Sequence, residues 1–302
     1  MSNLLKFILP ALSCGFLTGF NSFGQTPGDH ATEVMRIFND PSDKQILVAA
    51  HRADWRNAPE NSLEAIQLCI DMGVDIAEID VQLTKDGKLI LMHDKSVERM
   101  TDGKGDIKDF TLEQIQALHL KNAYGVITRF KIPTLEEVLN LSKGKIVLFI
   151  DKCYPHIPLI LSELEKTGTT HQALLEGKAT YTETLLKYPQ IQTLGVKYMP
   201  RVGVEEQVTA LLAEETKPET IIISFKKEKS PVLQRLNAAN KESYRLLVST
   251  LWPETCANHD DDLALSDPES SWGWVVTHGA GIICTDRPGL LLTYLKKKNL
   301  HR

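Results

Sequence analysis

Eight short β-branched or apolar runs recur along the chain with helical patterns between them, and this alternation restricts the fold more than any other feature. The runs are 46–50, 76–81, 146–150, 172–175, 193–199, 220–224, 245–249 and 281–284. Apolar residues recur with helical period near 62–72, 134–142, 156–166, 180–188, 205–215, 230–239 and 260–277, and a last helix covers 287–298. Pro133-Thr134-Leu135-Glu136-Glu137 and Ser230-Pro231 read as helix starts. Strands separated by helices pair in parallel, because a parallel neighbour needs a long crossover. Eight such units predict an α/β fold of the (β/α)8 TIM barrel type; the regular count disfavours an open doubly wound sheet. At 302 residues, length alone permits one domain or two; the unbroken alternation favours one over 25–302.

One segment must leave the barrel. After the second strand, Asp86-Gly87 separates Val81-Gln82-Leu83-Thr84-Lys85 from Lys88-Leu89-Ile90-Leu91-Met92. Asp-Gly between alternating runs predicts a β-hairpin excursion, since the link is too short for a crossover. A two-residue turn would set Lys85 opposite Lys88 and Asp80 opposite His93. Residues 95–133, with a short helix near 111–118, and 252–272 read as insertions on the carboxyl-terminal face.

The first 24 residues read as a secretory signal: Lys6, an apolar stretch from Phe7 to Phe20, and small residues at Ser22 and Gly24. The stretch is too short for a stable membrane span, and the expected location is secreted or periplasmic. Cys14 suggests a lipoprotein, but Ala11 stands where a branched residue is wanted. Cys69, Cys153, Cys256 and Cys284 show neither zinc spacing nor a disulfide framework. A net charge of −5 argues against nucleic acid as the main partner. Sequence leaves the oligomeric state open.

Polar residues cluster where barrel chemistry belongs. His51-Arg52 ends the first strand, Glu78 and Asp80 the second, and Asp151-Lys152 the third. Glu78 and Asp80 are two apart, so they share a face. Alone, such a pair reads as a solvated strand face. Beside Asp151, His51 and His93 it reads as the holder of one divalent cation, Mg2+ or Ca2+. Arg52 has the planar fork that grips a phosphate ester, or it bridges to Glu60. Either histidine is the acid or the base. Asn61 or Ser62 caps the helix that follows, and Trp252 packs at the rim or stacks on a bound alcohol group.

His51-Arg52, Pro59-Glu60-Asn61, Glu78-Ile79-Asp80, Thr84-Lys85-Asp86-Gly87 and His93-Asp94 closely resemble the glycerophosphodiester phosphodiesterases, which are (β/α)8 barrels. The resemblance extends through Ile150-Asp151-Lys152, Thr250-Leu251-Trp252 and Thr285-Asp286-Arg287-Pro288. It implies metal ligands Glu78, Asp80 and Asp151, catalytic His51 and His93, and substrate contacts from Arg52, Glu60, Lys152 and Trp252. The implied reaction is metal-dependent hydrolysis of a small glycerophosphodiester to glycerol 3-phosphate and an alcohol, a step of lipid metabolism.

Four positions depart from the family pattern. Asp151 stands where the third acid is commonly Glu, and its shorter side chain leaves a ligand position for water. Ala53 replaces a glycine, so a positive φ there would be strained. Lys152 directly follows the third acid, so it points away unless the strand ends at once. Glu176 stands where a phosphate-facing lysine is expected. Two other functions fit the same residues: a phospholipase of the sphingomyelinase D type, and a barrel that binds a phospho-head-group without cleaving it. The phospholipase needs an apolar lipid-facing surface, and the sequence shows no exposed aromatic run beyond Trp252, Trp272 and Trp274.

Overall fold

The computed structural model describes residues 30–240 and 242–302; the signal expected over 1–24 lies outside the described residues. The strands are β1 Leu47–Ala50, β2 Ile76–Leu83, β3 Leu89–Leu91, β4 Val147–Asp151, β5 Ala173–Gly177, β6 Lys197–Val202, β7 Thr220–Ile223, β8 Arg245–Ser249 and β9 Ala280–Thr285. All except β3 pair in parallel, in the order β1-β9-β8-β7-β6-β5-β4-β2, and β1 pairs back onto β2. The sheet is therefore a closed barrel of the expected (β/α)8 type, and β3 is the antiparallel excursion.

Period-two alternation divides the strands between two cores. Outward residues such as Val48, Ala77, Ile79, Leu148 and Ile150 pack under the helices with Ile66, Leu139 and Ile160. Inward residues Leu47, Ala49, Ile76, Val147, Phe149, Leu174, Met199, Ile222, Leu247, Ile282 and Cys284 fill the barrel. Helix His30–Phe38 closes its floor with Val34, Ile37 and Phe38. Counting on by two along the inward rows brings His51, Glu78, Asp80, Asp151, Glu176, Arg201 and Asp286 to the carboxyl-terminal mouth.

Two boundaries differ from the sequence reading. The strand expected over 193–199 runs Lys197–Val202, because Gln190–Thr193 forms a helical turn that Gly195 (φ 70°) terminates. The helix expected over 260–277 breaks into Asp261–Ala264, a π-helical turn Glu269–Gly273, and Trp274–Thr277, with Pro268 at the break. The insertion over 95–133 packs Val97, Met100, Ile107, Ile115, Leu120 and Ile132 against Ile90 and Met92 of the hairpin in a small core apart from the barrel.

The hairpin register differs by one residue. Val81 pairs with Leu91 and Leu83 with Leu89, and the Met92 amide donates to the Asp80 carbonyl at 3.0 Å. Asp80 therefore lies opposite Met92, not His93. The Thr84 side chain causes the shift. Its Oγ1 accepts from the Lys88 amide (2.9 Å) and donates to Asp86 (2.7 Å), stretching the turn to three residues with Gly87 at φ 76°.

Candidate active site

The strand ends bring three carboxylates together. Glu78, Asp80 and Asp151 each offer an oxygen, and these oxygens lie within 4.8 Å of one another. Asp80 and Asp151 are direct partners across β2 and β4, which puts their side chains on the same face. Glu78 and Asp80 are buried. Burial, followed by the charges of Asp80 and Asp151, pushes the Glu78 carboxyl well above the usual carboxylate range. Burial opposes the Asp151 charge, but hydrogen bonds from Glu176 and the Lys152 amide outweigh it and hold that carboxyl below its usual range. Three acid oxygens this close form a donor set that fits a hard divalent ion.

Backbone turns arrange what surrounds them. Arg52 (φ 51°) and Ala53 (φ 60°) both occupy the left-handed region, at a cost of roughly 1–3 kcal/mol each. The strain at Ala53 expected from its lost glycine is therefore present. It turns the Arg52 amide onto Glu78 Oε2 (2.7 Å) and the Ala53 amide onto the Glu78 carbonyl (3.1 Å). Arg52 Nη1 reaches both Glu60 oxygens, at 3.1 and 3.2 Å. Its Nε is buried without a hydrogen-bond partner among the described residues and lies 3.9 Å from Asp80. A donor in that state suits an incoming oxyanion.

Lys152 points into the site because β4 ends at Asp151 and the next residue turns to φ 56°. Its amide donates to Asp151 and its Nζ to Asp80 Oδ1, both at 2.5 Å. Asn61 (φ 57°) binds Asp80 twice, Nδ2 to Oδ2 and Oδ1 from the amide, both at 2.9 Å. Ser62 alone is the helix cap, accepting from the Ala65 amide.

The histidines are held differently. His51 Nδ1 donates to Asp286 Oδ1 at 2.8 Å, which leaves Nε2 as the free ring nitrogen. Asp286 also accepts from Trp55 Nε1 (2.7 Å), and its amide is fixed by Asp261 (2.7 Å). Burial opposes the Asp286 charge, but His51 and Trp55 outweigh it and hold the carboxyl below its usual range. Trp252 is 47% exposed and meets His51 edge-on, with centroids 5.6 Å apart. Trp272 is core, donating to Asp261, and Trp274 stacks between His259 and His278. His93 Nδ1 bonds Asp94 (2.6 Å), Asp94 accepts from Arg99 (2.7 Å), and Arg99 donates to Glu60 (2.7 Å). His93 therefore joins the site through this relay to Arg52, not through a cross-strand contact with Asp80.

Sequence reasoning missed Asp286 as the partner of His51, Arg99 in the relay, and the pair Glu176–Arg201. The signal for Asp286 was its place after the last strand, which barrel closure sets beside the first. Glu176 on β5 contacts Arg201 on β6. Burial and the nearby Asp151 push the Glu176 carboxyl up to about 8. Arg201 thus places a cation against Glu176, one strand over from where the lysine was expected.

The family model described as the glycerophosphoryl diester phosphodiesterase family matches residues 51–156, and a family model for a domain of unknown function matches 198–295. A glycerophosphodiester phosphodiesterase of Caldanaerobacter subterraneus is 48% identical over 100 residues, covering 33% of this chain and 41% of that protein. The chain thus spans about two fifths of that relative's length. A glycerophosphoryl diester phosphodiesterase from Parabacteroides distasonis superposes with a TM-score of 0.70 at 22% identity, over 89% of this chain and 92% of that one. A phosphodiesterase from Oleispira antarctica, solved with the product sn-glycerol-3-phosphate, superposes at 0.61 with 20% identity, over 83% and 97%. Over residues 51–156 the chain thus resembles the glycerophosphodiester phosphodiesterases in sequence, and the solved members named above share its barrel fold.

Proposed function

We propose that this chain hydrolyses glycerophosphodiesters to glycerol 3-phosphate and an alcohol with the help of one divalent cation. The convergence of Glu78, Asp80 and Asp151 beside an Asp286-backed His51 is the observation that carries this reading. The match over residues 51–156 and the Oleispira relative's bound product support it.

Glu78, Asp80 and Asp151 would hold the cation, Mg2+ or Ca2+, which when bound offsets charge on the phosphate's non-bridging oxygens. Arg52 offers its unpartnered Nε to one of those oxygens, and Lys152, now spent on Asp80, is released to another. Glu60 keeps Arg52 extended into the site from behind. His51, with Nδ1 committed to Asp286, takes the nucleophile's proton on Nε2. The attacking oxygen is that of water, or of the neighbouring glycerol hydroxyl with water then opening the cyclic phosphate. The new P–O bond forms as the alcohol's P–O bond breaks, and His93 gives a proton to the leaving oxygen. Exposed Trp252, beside His51, flanks the alcohol. We also propose export to the periplasm or exterior, from residues 1–24 alone.

Release of glycerol 3-phosphate should be measured across a panel of glycerophosphodiesters, before and after chelation and with metal added back. Metal-dependent release that Glu78→Gln abolishes supports the assignment. Head-group binding without release by any panel member would favour the non-catalytic barrel instead.

A further inference from the structure

The insertion after β3 ends in a small ordered hairpin. Lys121 and Ile127 form an antiparallel bridge, and the Asn122 amide donates to the Val126 carbonyl at 3.0 Å. The Asn122 side chain accepts from the amides of Tyr124 and Val126, both at 3.0 Å. Gly125 (φ 75°) completes the turn. Its own bonds thus fix the shape of the tip.

What the tip presents is apolar. Tyr124 is 87% exposed, Val126 60% and Ile127 55%, while neighbouring Leu120 and Ile132 are buried in the insertion's core. Folding gains nothing from three apolar side chains held out in water. Along the hairpin segment itself the charged side chains are of one sign, with Asp102 against His119 at its base. Residues 119–131 contain Lys121, Arg129 and Lys131 and no acid, in a chain of net charge −5. Lys121 donates to the Glu98 carbonyl, Lys131 to the Ala117 carbonyl and to His119, and Arg129 lies over Phe130; among the described residues none of the three pairs with a carboxylate. The hairpin also borders the site: Asn122 and Gly125 share a cavity of about 220 Å3 with Trp55, Glu60 and Arg99.

We propose that this tip docks the barrel mouth on an anionic lipid surface. Tyr124, Val126 and Ile127 enter the interface, and Lys121, Arg129 and Lys131 face the lipid phosphates. Apolar insertion and cation attraction together favour such a surface, and each alone is weak. The site would then open toward the membrane, where phosphodiesters of lipid origin are concentrated. This inference stands whether or not the phosphodiesterase reading holds, because its readout is binding.

The test is sedimentation of the full chain with phosphatidylcholine vesicles, with and without phosphatidylglycerol, at low and high salt. Binding should be about tenfold tighter with phosphatidylglycerol and should weaken in salt. The variant Tyr124→Ser/Val126→Ser/Ile127→Ser should lose about tenfold in affinity at an unchanged melting temperature. Lys121→Gln/Arg129→Gln/Lys131→Gln should lose the preference for phosphatidylglycerol. Residues 1–29 are common to all the chains compared, so any contribution from them cancels. Equal binding by the serine variant and the parent, or no vesicle binding by the parent, would overturn the proposal. The second result would leave the tip to a protein partner.

Discussion

Within the barrel, strand β2 runs from one buried acid at the floor to two at the mouth, and the two places treat them in opposite ways. At the floor, Asp75 is fully buried and fully served. It accepts from the Val48 amide (2.8 Å), His301 Nε2 (2.9 Å) and Arg302 Nη2 (3.2 Å). At the mouth, Glu78 is buried beside Asp80 and Asp151, and burial together with their charges makes Glu78 costly to ionise. A buried acid with its own cationic donors is a structural clamp; at the mouth three acids share the Lys152 ammonium and an Arg52 guanidinium 3.9 Å away, and Glu78 receives only a backbone amide. Burial therefore does not mark the function here. The shortfall of positive charge does.

The strongest test swaps the two ends. Glu78→Gln should lower turnover at least about a thousandfold while the metal-free protein melts no earlier, since it removes like-charge crowding. Asp75→Ala should do the reverse, costing about 3–5 kcal/mol in denaturant melts with turnover per folded molecule retained. Loss of stability at the mouth and loss of turnover at the floor would break the contrast. Next, Asp286→Asn should reduce kcat about a thousandfold with little change in KM, because His51 would lose its enforced tautomer.

A divalent cation should stabilise the parent by about 2.7 kcal/mol at a hundredfold excess over Kd, read as a melting shift, and should not stabilise Asp151→Asn. The smallest effect belongs to the floor. Burial disfavours the His301 imidazolium, but Asp75 outweighs it and raises the pKa above the ordinary histidine value. Its contribution is then complete below about pH 6.5 and is lost as pH rises through the folded value. His301→Gln should flatten that alkaline decline in melting temperature.

Much of this was legible in the sequence. Regular alternation gave the barrel, and strand-end positions gave the grouping of Glu78, Asp80 and Asp151 with His51. What was not legible came from side chains that act on the backbone. Thr84 stretched the hairpin turn and shifted its register, so Asp80 met Met92. The left-handed turn at Lys152 brought its ammonium back onto Asp80. Asn61, readable as a cap, became the clamp on Asp80 instead. The pairing of His51 with Asp286 joins the first strand to the last and exists only once the barrel closes, and that of Glu176 with Arg201 depends on the register of β5 against β6.

The most direct measurement is turnover of a glycerophosphodiester by the parent chain after exhaustive chelation, followed by titration with Mg2+ or Ca2+. The account predicts negligible release of glycerol 3-phosphate when stripped and full recovery as one ion per chain binds. Undiminished release from protein verified to be metal-free would contradict it.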